Sequence, residues 1–96
     1  MIMHVVMFRF KKGLPETQIE EAKEQIESLI DLVPKLQNIK VGLNFSQEER
    51  AMDMVLISHF ENREDLDFYA THPEHLNVIA FIKTITEYTK VVDFET

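Results

Sequence analysis

The segment from Phe68 to His75 concentrates the side chains of this sequence that could carry out chemistry. It contains one phenol, Tyr69, and two imidazoles, His72 and His75. An imidazole titrates near neutral pH and can act as a general base, while a phenol within reach can hold the base or polarise a carbonyl, as enolisation and aldol reactions require. We therefore interpret Tyr69 and His75 as candidate catalytic residues.

The alternative is a structural role for the same side chains. Pro73 interrupts any helix between Tyr69 and His75, so helical spacing does not predict whether the two side chains face each other. In the structural interpretation, His75 flanks a helix and Tyr69 packs its ring with the hydroxyl at the surface. His72 directly precedes the proline, and we expect it to end the helix with its ring near the last carbonyls.

Another histidine, His4, interrupts an apolar strand face near the start of the chain. A buried histidine needs partners for both ring nitrogens, so His4 either lines a pocket or is satisfied by the backbone or a carboxylate. His72 and His75 have a spacing that metal sites use on helices, but the proline breaks the helix and no nearby carboxylate completes a ligand set. We therefore predict no metal and no cofactor.

The composition is that of a small globular domain with an acidic surface. The chain has 96 residues, of which 45% are hydrophobic, no cysteine, and a formal net charge of −7. An acidic chain disfavours nucleic acids and anionic membranes, because both require a basic surface. The absence of cysteine fits a reducing cytoplasm, and we see neither a secretion signal nor a membrane-spanning stretch. We expect one cytoplasmic domain over residues 1–96.

The periodicity of apolar residues predicts the order strand, helix, strand, strand, helix, strand. Apolar residues alternate in the strands and recur every three or four positions in the helices. The predicted inward stripe of the first helix is Ile19, Ala22, Ile26, Leu29, Ile30 and Val33, and the periodic positions of the last helical piece are Leu76, Ile79, Ala80 and Lys83. His59 in the third strand is predicted to lie on the sheet face opposite the helices. The predicted strands are His4–Lys11, Ile39–Phe45, Met52–Glu61 and Thr86–Glu95. The first helix begins near Pro15 and ends at Pro34, and the second begins at the capping residue Asn62 and is split by Pro73.

This order is typical of a ferredoxin-like α+β fold, βαββαβ, with a four-stranded antiparallel sheet and helices on one face. The other sheet face is then uncovered and largely apolar. An apolar patch of roughly 400 Å² is unusual on a monomer, and covering it is worth on the order of 10 kcal/mol. We predict a homodimer that stacks two sheets through this face, which carries Met3, Val5, Met7, Val55, Ile57, Val92 and Phe94.

Four segments resemble the stress-responsive A/B barrel (Dabb) family, whose members are small ferredoxin-like proteins that form a dimeric α/β barrel. The resemblance covers nearly the whole chain and rests on His4–Lys11, Phe60–Leu66, Tyr69–His75 and Val92–Glu95. In the plant polyketide cyclases of this family, a tyrosine and the second histidine of a Tyr-x-x-His-Pro-x-His segment act without cofactor or metal. The resemblance therefore implies catalytic roles for Tyr69 and His75.

The resemblance also implies a pocket between the sheet and the helices, with His4 in its wall. We expect the other lining residues to be Val6, Phe8, Ile26 and Leu56. The chain departs from the cyclases in the first helix, where Ile26 and its neighbours replace aromatic side chains, and in the last strand, which begins with threonine. These departures argue against a polyketide substrate.

Three functions stay open. The first is a stress-associated dimer of unassigned activity that binds a small apolar molecule in the pocket. The second is a cofactor-independent enzyme, cyclase-like or monooxygenase-like, with His75 as the general base and Tyr69 as the orienting group. The third is a purely structural dimer. The sequence predicts a small-molecule ligand in the first two cases and no nucleic acid or membrane in any of them.

Overall fold

The computed structural model describes residues 1–96, which form four strands and three helices. Along the chain they are β1 (Ile2–Phe10), α1 (Glu16–Leu32), β2 (Asn38–Leu43), β3 (Met54–Phe60), α2 (Arg63–Thr71), α3 (Pro73–Ile85) and β4 (Thr86–Glu95). The predicted order of elements is confirmed, including the division of the second helix at Pro73.

The four strands form one antiparallel sheet in the order β2-β3-β1-β4. The central strand β1 aligns Val5 with Ile57 of β3 on one side and with Val92 of β4 on the other. Strand β4 lies at the sheet edge, and its residues after Thr86 are all exposed. This strand order and direction confirm the predicted ferredoxin-like α+β fold.

Local sequence determines where the helices begin and end. Helix α1 stops at Leu32, because Pro34 restricts Val33 to the extended conformation that it adopts here, with φ −115° and ψ 115°. Helix α2 begins after Asn62, whose side-chain Oδ1 accepts a hydrogen bond from the Asp65 backbone N–H at 2.9 Å. The predicted cap is confirmed. None of the helices is both long enough and apolar enough to cross a membrane.

The hydrophobic core lies between the sheet and the helices. Its most deeply buried large side chains include Tyr69, Phe60, Ile26 and Leu29. Ile30, which the periodicity assigned to the inward stripe of α1, is instead 38% exposed. Leu29 and Ile30 point about 100° apart on a helix, and the sheet covers only the side that carries Leu29.

The buried face of α3 differs from the predicted one. The periodicity favoured Leu76, Ile79, Ala80 and Lys83 as inward positions. The structure instead buries Val78, Ile82 and Ile85 and leaves Leu76 50% exposed. Apolar residues surround most of this helix, so the pattern alone does not fix its rotation about its own axis. The direction in which the chain leaves the break at Pro73 decides it.

Strand β2 is shorter than predicted, because a turn at Asn44 ends it at Leu43. The Asn44 Oδ1 accepts from the Ser46 backbone N–H at 3.1 Å, and its Nδ2 donates to the Ser46 carbonyl at 2.7 Å. This side-chain turn leads the chain away from the sheet. Phe45 is consequently 97% exposed rather than paired in a strand.

Candidate active site

The break between α2 and α3 shapes the candidate site. His72 is extended there, with φ −66° and ψ 135°, and Pro73 opens α3. The His72 backbone N–H donates to the Tyr69 carbonyl at 3.1 Å, while the His72 ring Nδ1 accepts from the Glu74 N–H at 3.1 Å. The ring therefore caps the start of α3, which corrects the expectation that it lies at the carbonyl end of α2.

The same break brings Tyr69 and His75 together. On a continuous helix, a separation of six residues at 100° each would place these side chains about 120° apart. Across the break, their ring centroids lie 4.1 Å apart with 37° between the ring planes. The ring of His4, on β1, lies 6.2 Å from that of Tyr69, centroid to centroid. Three residues from separate elements thus form one cluster.

A cavity of about 470 Å³ lies beside this cluster, between the sheet and the helices. The residues predicted for the site all line it, namely His4, Val6, Phe8, Ile26, Leu56, Tyr69 and His75. Their chemical roles remain predictions. The rest of the wall, which the sequence did not predict, is Leu29, Val78, Ile79, Ile82, Lys83, Thr86, Glu87, Tyr88, Thr89 and Val91.

The hydroxyl of Tyr69 is buried and has no hydrogen-bond partner in the protein. The whole side chain is 1% exposed, so bulk water does not satisfy the hydroxyl. Burial raises the pKa of Tyr69 well above its ordinary value, because the phenolate would be poorly solvated. The hydroxyl therefore stays protonated and can serve only as a neutral hydrogen-bond donor or acceptor.

The ring of His75 is held in one orientation and is kept neutral. Its Nδ1 lies 3.1 Å from the Ala70 carbonyl oxygen, and a carbonyl only accepts, so Nδ1 carries the proton. Burial lowers the pKa of His75, and the nearby His4 and His72 lower it further, whereas the Ala70 hydrogen bond opposes them. The neutral ring then has its free lone pair on Nε2, the atom that can act as a base.

His4 is paired with Asp93, a residue that the sequence interpretation did not assign to the site. The His4 Nδ1 and an Asp93 carboxylate oxygen form a hydrogen bond between neighbouring strands. A carboxylate only accepts, so it fixes the proton on Nδ1 and orients the ring. The sequence carried no signal for this pair, because it depends on the register of β1 with β4, which aligns His4 with Asp93.

No group of three or more His, Cys, Asp or Glu side chains is arranged to hold a metal ion. His59, predicted for the opposite sheet face, aligns with Met3 of β1 and lies outside the cavity lining. The polar side chains of the cluster that line the cavity are therefore Tyr69, His4 and His75. This set suits a ligand that carries a carbonyl or hydroxyl oxygen.

Comparison with known proteins identifies the family. A model of the stress responsive A/B barrel domain matches residues 2–96. The chain belongs to this family. A stress-response A/B barrel domain-containing protein of Arabidopsis thaliana is 32% identical over 78 residues, which are 81% of this chain and 30% of that relative. This A/B barrel chain thus spans less than a third of the plant relative's length.

Two further proteins resemble this A/B barrel chain along most of its length. Olivetolic acid cyclase of Cannabis sativa is 22% identical over 95 residues, which are 97% of this chain and 94% of the cyclase. A dimeric ferredoxin-like protein of unknown function from Bacteroides fragilis superimposes with a TM-score of 0.88 at 31% identity, covering 99% of this chain and 95% of that one. The relatives thus include an enzyme, and the solved proteins of this fold include dimers.

Replacing Tyr69 with phenylalanine is expected to stabilise the ligand-free A/B barrel protein. The unpartnered hydroxyl costs free energy in the folded state, so its removal is expected to raise the free energy of unfolding by about 1 kcal/mol. Urea denaturation followed by circular dichroism measures the change. The hydroxyl of the chain's other tyrosine, Tyr88, is exposed and has partners, so Tyr88→Phe removes the same atom as a control and is expected to give no gain in stability. A loss of stability in Tyr69→Phe would show that the hydroxyl is satisfied after all.

Proposed function

We propose that this A/B barrel protein binds a small, largely apolar molecule that carries a carbonyl or hydroxyl oxygen. The observation that carries the proposal is that Tyr69 lines the cavity and that its buried hydroxyl has no hydrogen-bond partner. A buried polar group without a partner is unfavourable, and a ligand oxygen that pairs with it recovers that free energy. The ligand thus supplies the hydrogen-bond partner that the Tyr69 hydroxyl lacks in the folded chain.

The size and character of the cavity agree with such a ligand. Its volume of about 470 Å³ lies in the range of small-molecule sites, and 11 of its 17 lining residues are hydrophobic. One group of polar side chains in its wall consists of Tyr69, His75 and His4, the last paired with Asp93. An apolar wall with a few convergent polar groups is typical of binding sites that fix one orientation of the ligand.

Catalysis without a cofactor is the second candidate function, and the state of His75 favours it. The Nε2 of a neutral His75 would remove a proton from the carbon next to the ligand carbonyl. The C–H electron pair forms a carbon–carbon double bond while the π pair of the carbonyl moves to its oxygen, and the resulting enolate oxygen accepts a hydrogen bond from the Tyr69 hydroxyl. His75 returns the proton in the reverse step. The relationship to olivetolic acid cyclase supports this proposal, because that relative is an enzyme.

The protein acts, in this proposal, as a homodimer joined through the sheet face opposite the helices. Val92 is 54% exposed there and Phe94 44% exposed, although both are apolar. The register of the strands places them beside other apolar residues of the same face, namely Met3, Val5, Met7, Val55 and Ile57. The dimeric structure from Bacteroides fragilis supports this assembly. The cavity lies on the other face, so each protomer keeps its own site.

Blocking the cavity is expected to abolish ligand binding. Thr89 lines the cavity from the exposed edge strand β4, so Thr89→Phe fills the space without disturbing the buried core. Titration of the ¹⁵N-labelled protein with decan-2-one should give saturable shifts of cavity amides in wild type. We expect the affinity to fall by more than about tenfold in Thr89→Phe.

The matched control is Thr84→Phe, because Thr84 is exposed on α3 and does not line the cavity. This variant should bind like wild type. Equal loss of binding in both variants, or no saturable shift in wild type across a panel of ketones, alcohols and phenols of similar size, would contradict the proposal.

A further inference from the structure

The cavity is elongated, and its polar side chains gather at its two ends. His75 and Lys83 both line it and lie eight residues apart on α3, which is about 12 Å along the helix axis. On the sheet, His4 and Phe8 lie four residues apart on β1, which is roughly 13 Å. Phe8 aligns with Thr89 of β4. The histidines therefore lie at one end, and Lys83 and Thr89 lie at the other.

The far end of the cavity carries one side chain of each charge, Lys83 and Glu87. Lys83 takes part in none of the chain's four ion pairs. Glu87 also lines the cavity, but it lines a second surface depression together with Arg9 and Lys11 as well. The pKa of Arg9 is raised by a hydrogen bond with Tyr88 and by the negative charges of Asp53 and Glu87. Glu87 thus lies in the field of Arg9 as well as beside the cavity, and no carboxylate of the chain forms an ion pair with Lys83.

The middle of the cavity offers only hydrocarbon. The residues between the two ends are aliphatic, including Val6, Leu56, Ile79 and Val91. Such a wall suits an unbranched aliphatic chain, since it supplies no hydrogen-bonding group along the way. An extended chain advances about 1.2 Å per bond, as the peptide backbone does, so a span of roughly 12–13 Å corresponds to about ten bonds.

We propose that the ligand is an unbranched oxo carboxylic acid of about ten carbons, with its keto oxygen at Tyr69 and its carboxylate at Lys83 and Thr89. This assignment rests on the proposed binding function of the same cavity and specifies the class of molecule. The assignment pairs a ligand oxygen with the buried, unpartnered hydroxyl at one end and a ligand carboxylate with Lys83, which forms no ion pair within the chain, at the other. A molecule with only one polar end would satisfy only one of them.

The test compares 9-oxodecanoate with decan-2-one, which has the same methyl ketone but no carboxylate. Isothermal titration calorimetry measures both affinities for wild type and for Lys83→Gln. We expect 9-oxodecanoate to bind wild type about fivefold more tightly, as an exposed ion pair allows, and this advantage to shrink at high ionic strength. The affinity advantage of 9-oxodecanoate should disappear in Lys83→Gln and return in Lys83→Arg. Lys23→Gln is the control, because Lys23 lies on α1 outside the cavity lining, and this variant should keep the affinity advantage of 9-oxodecanoate.

The outcomes separate this inference from the function on which it rests. Equal binding of the two ketones to wild type overturns the carboxylate assignment and leaves the proposed binding of apolar carbonyl compounds standing. A carboxylate advantage that persists in Lys83→Gln overturns the role of Lys83. If neither ketone binds, both proposals fail. Lys83 is exposed, so its substitution is not expected to disturb folding, and circular dichroism checks this.

Discussion

Replacing His75 with asparagine is expected to slow proton exchange next to the carbonyl of a bound ketone by roughly 10²–10⁴-fold. The imidazole Nε2 is the base in the proposed step, and asparagine has no group that takes up a proton near neutral pH. The measurement is the loss of the α-proton signals of decan-2-one in D₂O, followed by NMR with and without the protein. Binding of the ketone should change much less than exchange, because the cavity wall stays in place.

His72→Asn is the matched control for this experiment. His72 lies three residues away, and its ring caps the start of α3 by accepting from the Glu74 N–H. Asparagine is also a good helix cap, so this variant keeps the break between the helices. We expect its exchange rate to stay within about threefold of wild type. Equal losses in the two variants would mean that the local structure, and not the His75 base, supports exchange.

The pH dependence of exchange follows from the lowered pKa of His75. A base is active when it is unprotonated, so the rate should be constant above the pKa of His75 and fall as the pH drops below it. Because burial lowers that pKa, the fall should begin below the ordinary imidazole value of about 6.5. A fall that begins at or above that value would contradict the assignment of His75 as a buried neutral base.

Replacing Val55 with glutamate is expected to convert the proposed sheet-face dimer into a folded monomer. Val55 lies in β3 on the sheet face opposite the helices, aligned with Met7 of β1 and Gly42 of β2. Two copies stacked through this face would bury two unpaired carboxylates, at a cost of several kcal/mol, so we expect the dissociation constant to rise by more than about 100-fold. Sedimentation velocity over a range of concentrations measures it.

Ser28→Glu provides the control for dimerisation. Ser28 is exposed on α1, on the helical side of the molecule, so the same added charge should leave the association unchanged. Val55 is partly accessible in the single chain, and its substitution should therefore leave the monomer folded. A wild-type protein that is a stable monomer at micromolar concentration would contradict the proposed sheet-face interface.

The fold could be predicted because its determinants are local. Alternating apolar residues in β1 and β3, the prolines at 34 and 73, and the Asn62 cap act over a few residues, so their effect is visible in the sequence itself. The predicted end of β2 and the predicted buried face of α3 were wrong, because two local preferences competed there. Phe45 suits a strand, but the Asn44 side-chain turn ends β2 before it. Leu76 fits the helical period, but α3 is rotated so that Val78 is buried instead.

The sequence by itself determined which side chains are available for chemistry at the site. Tyr69, His75 and His4 were identifiable by residue type, and the family motif tied them to one pocket. The tertiary structure alone decided their relation: the break at Pro73 places the Tyr69 and His75 rings 4.1 Å apart, and the register of β1 with β4 gives His4 its partner Asp93. The first contact crosses a helix break and the second joins residues that are distant in sequence. The periodicity of apolar residues predicts neither contact. The neutral state of His75 has the same origin, because only packing removes water from a ring.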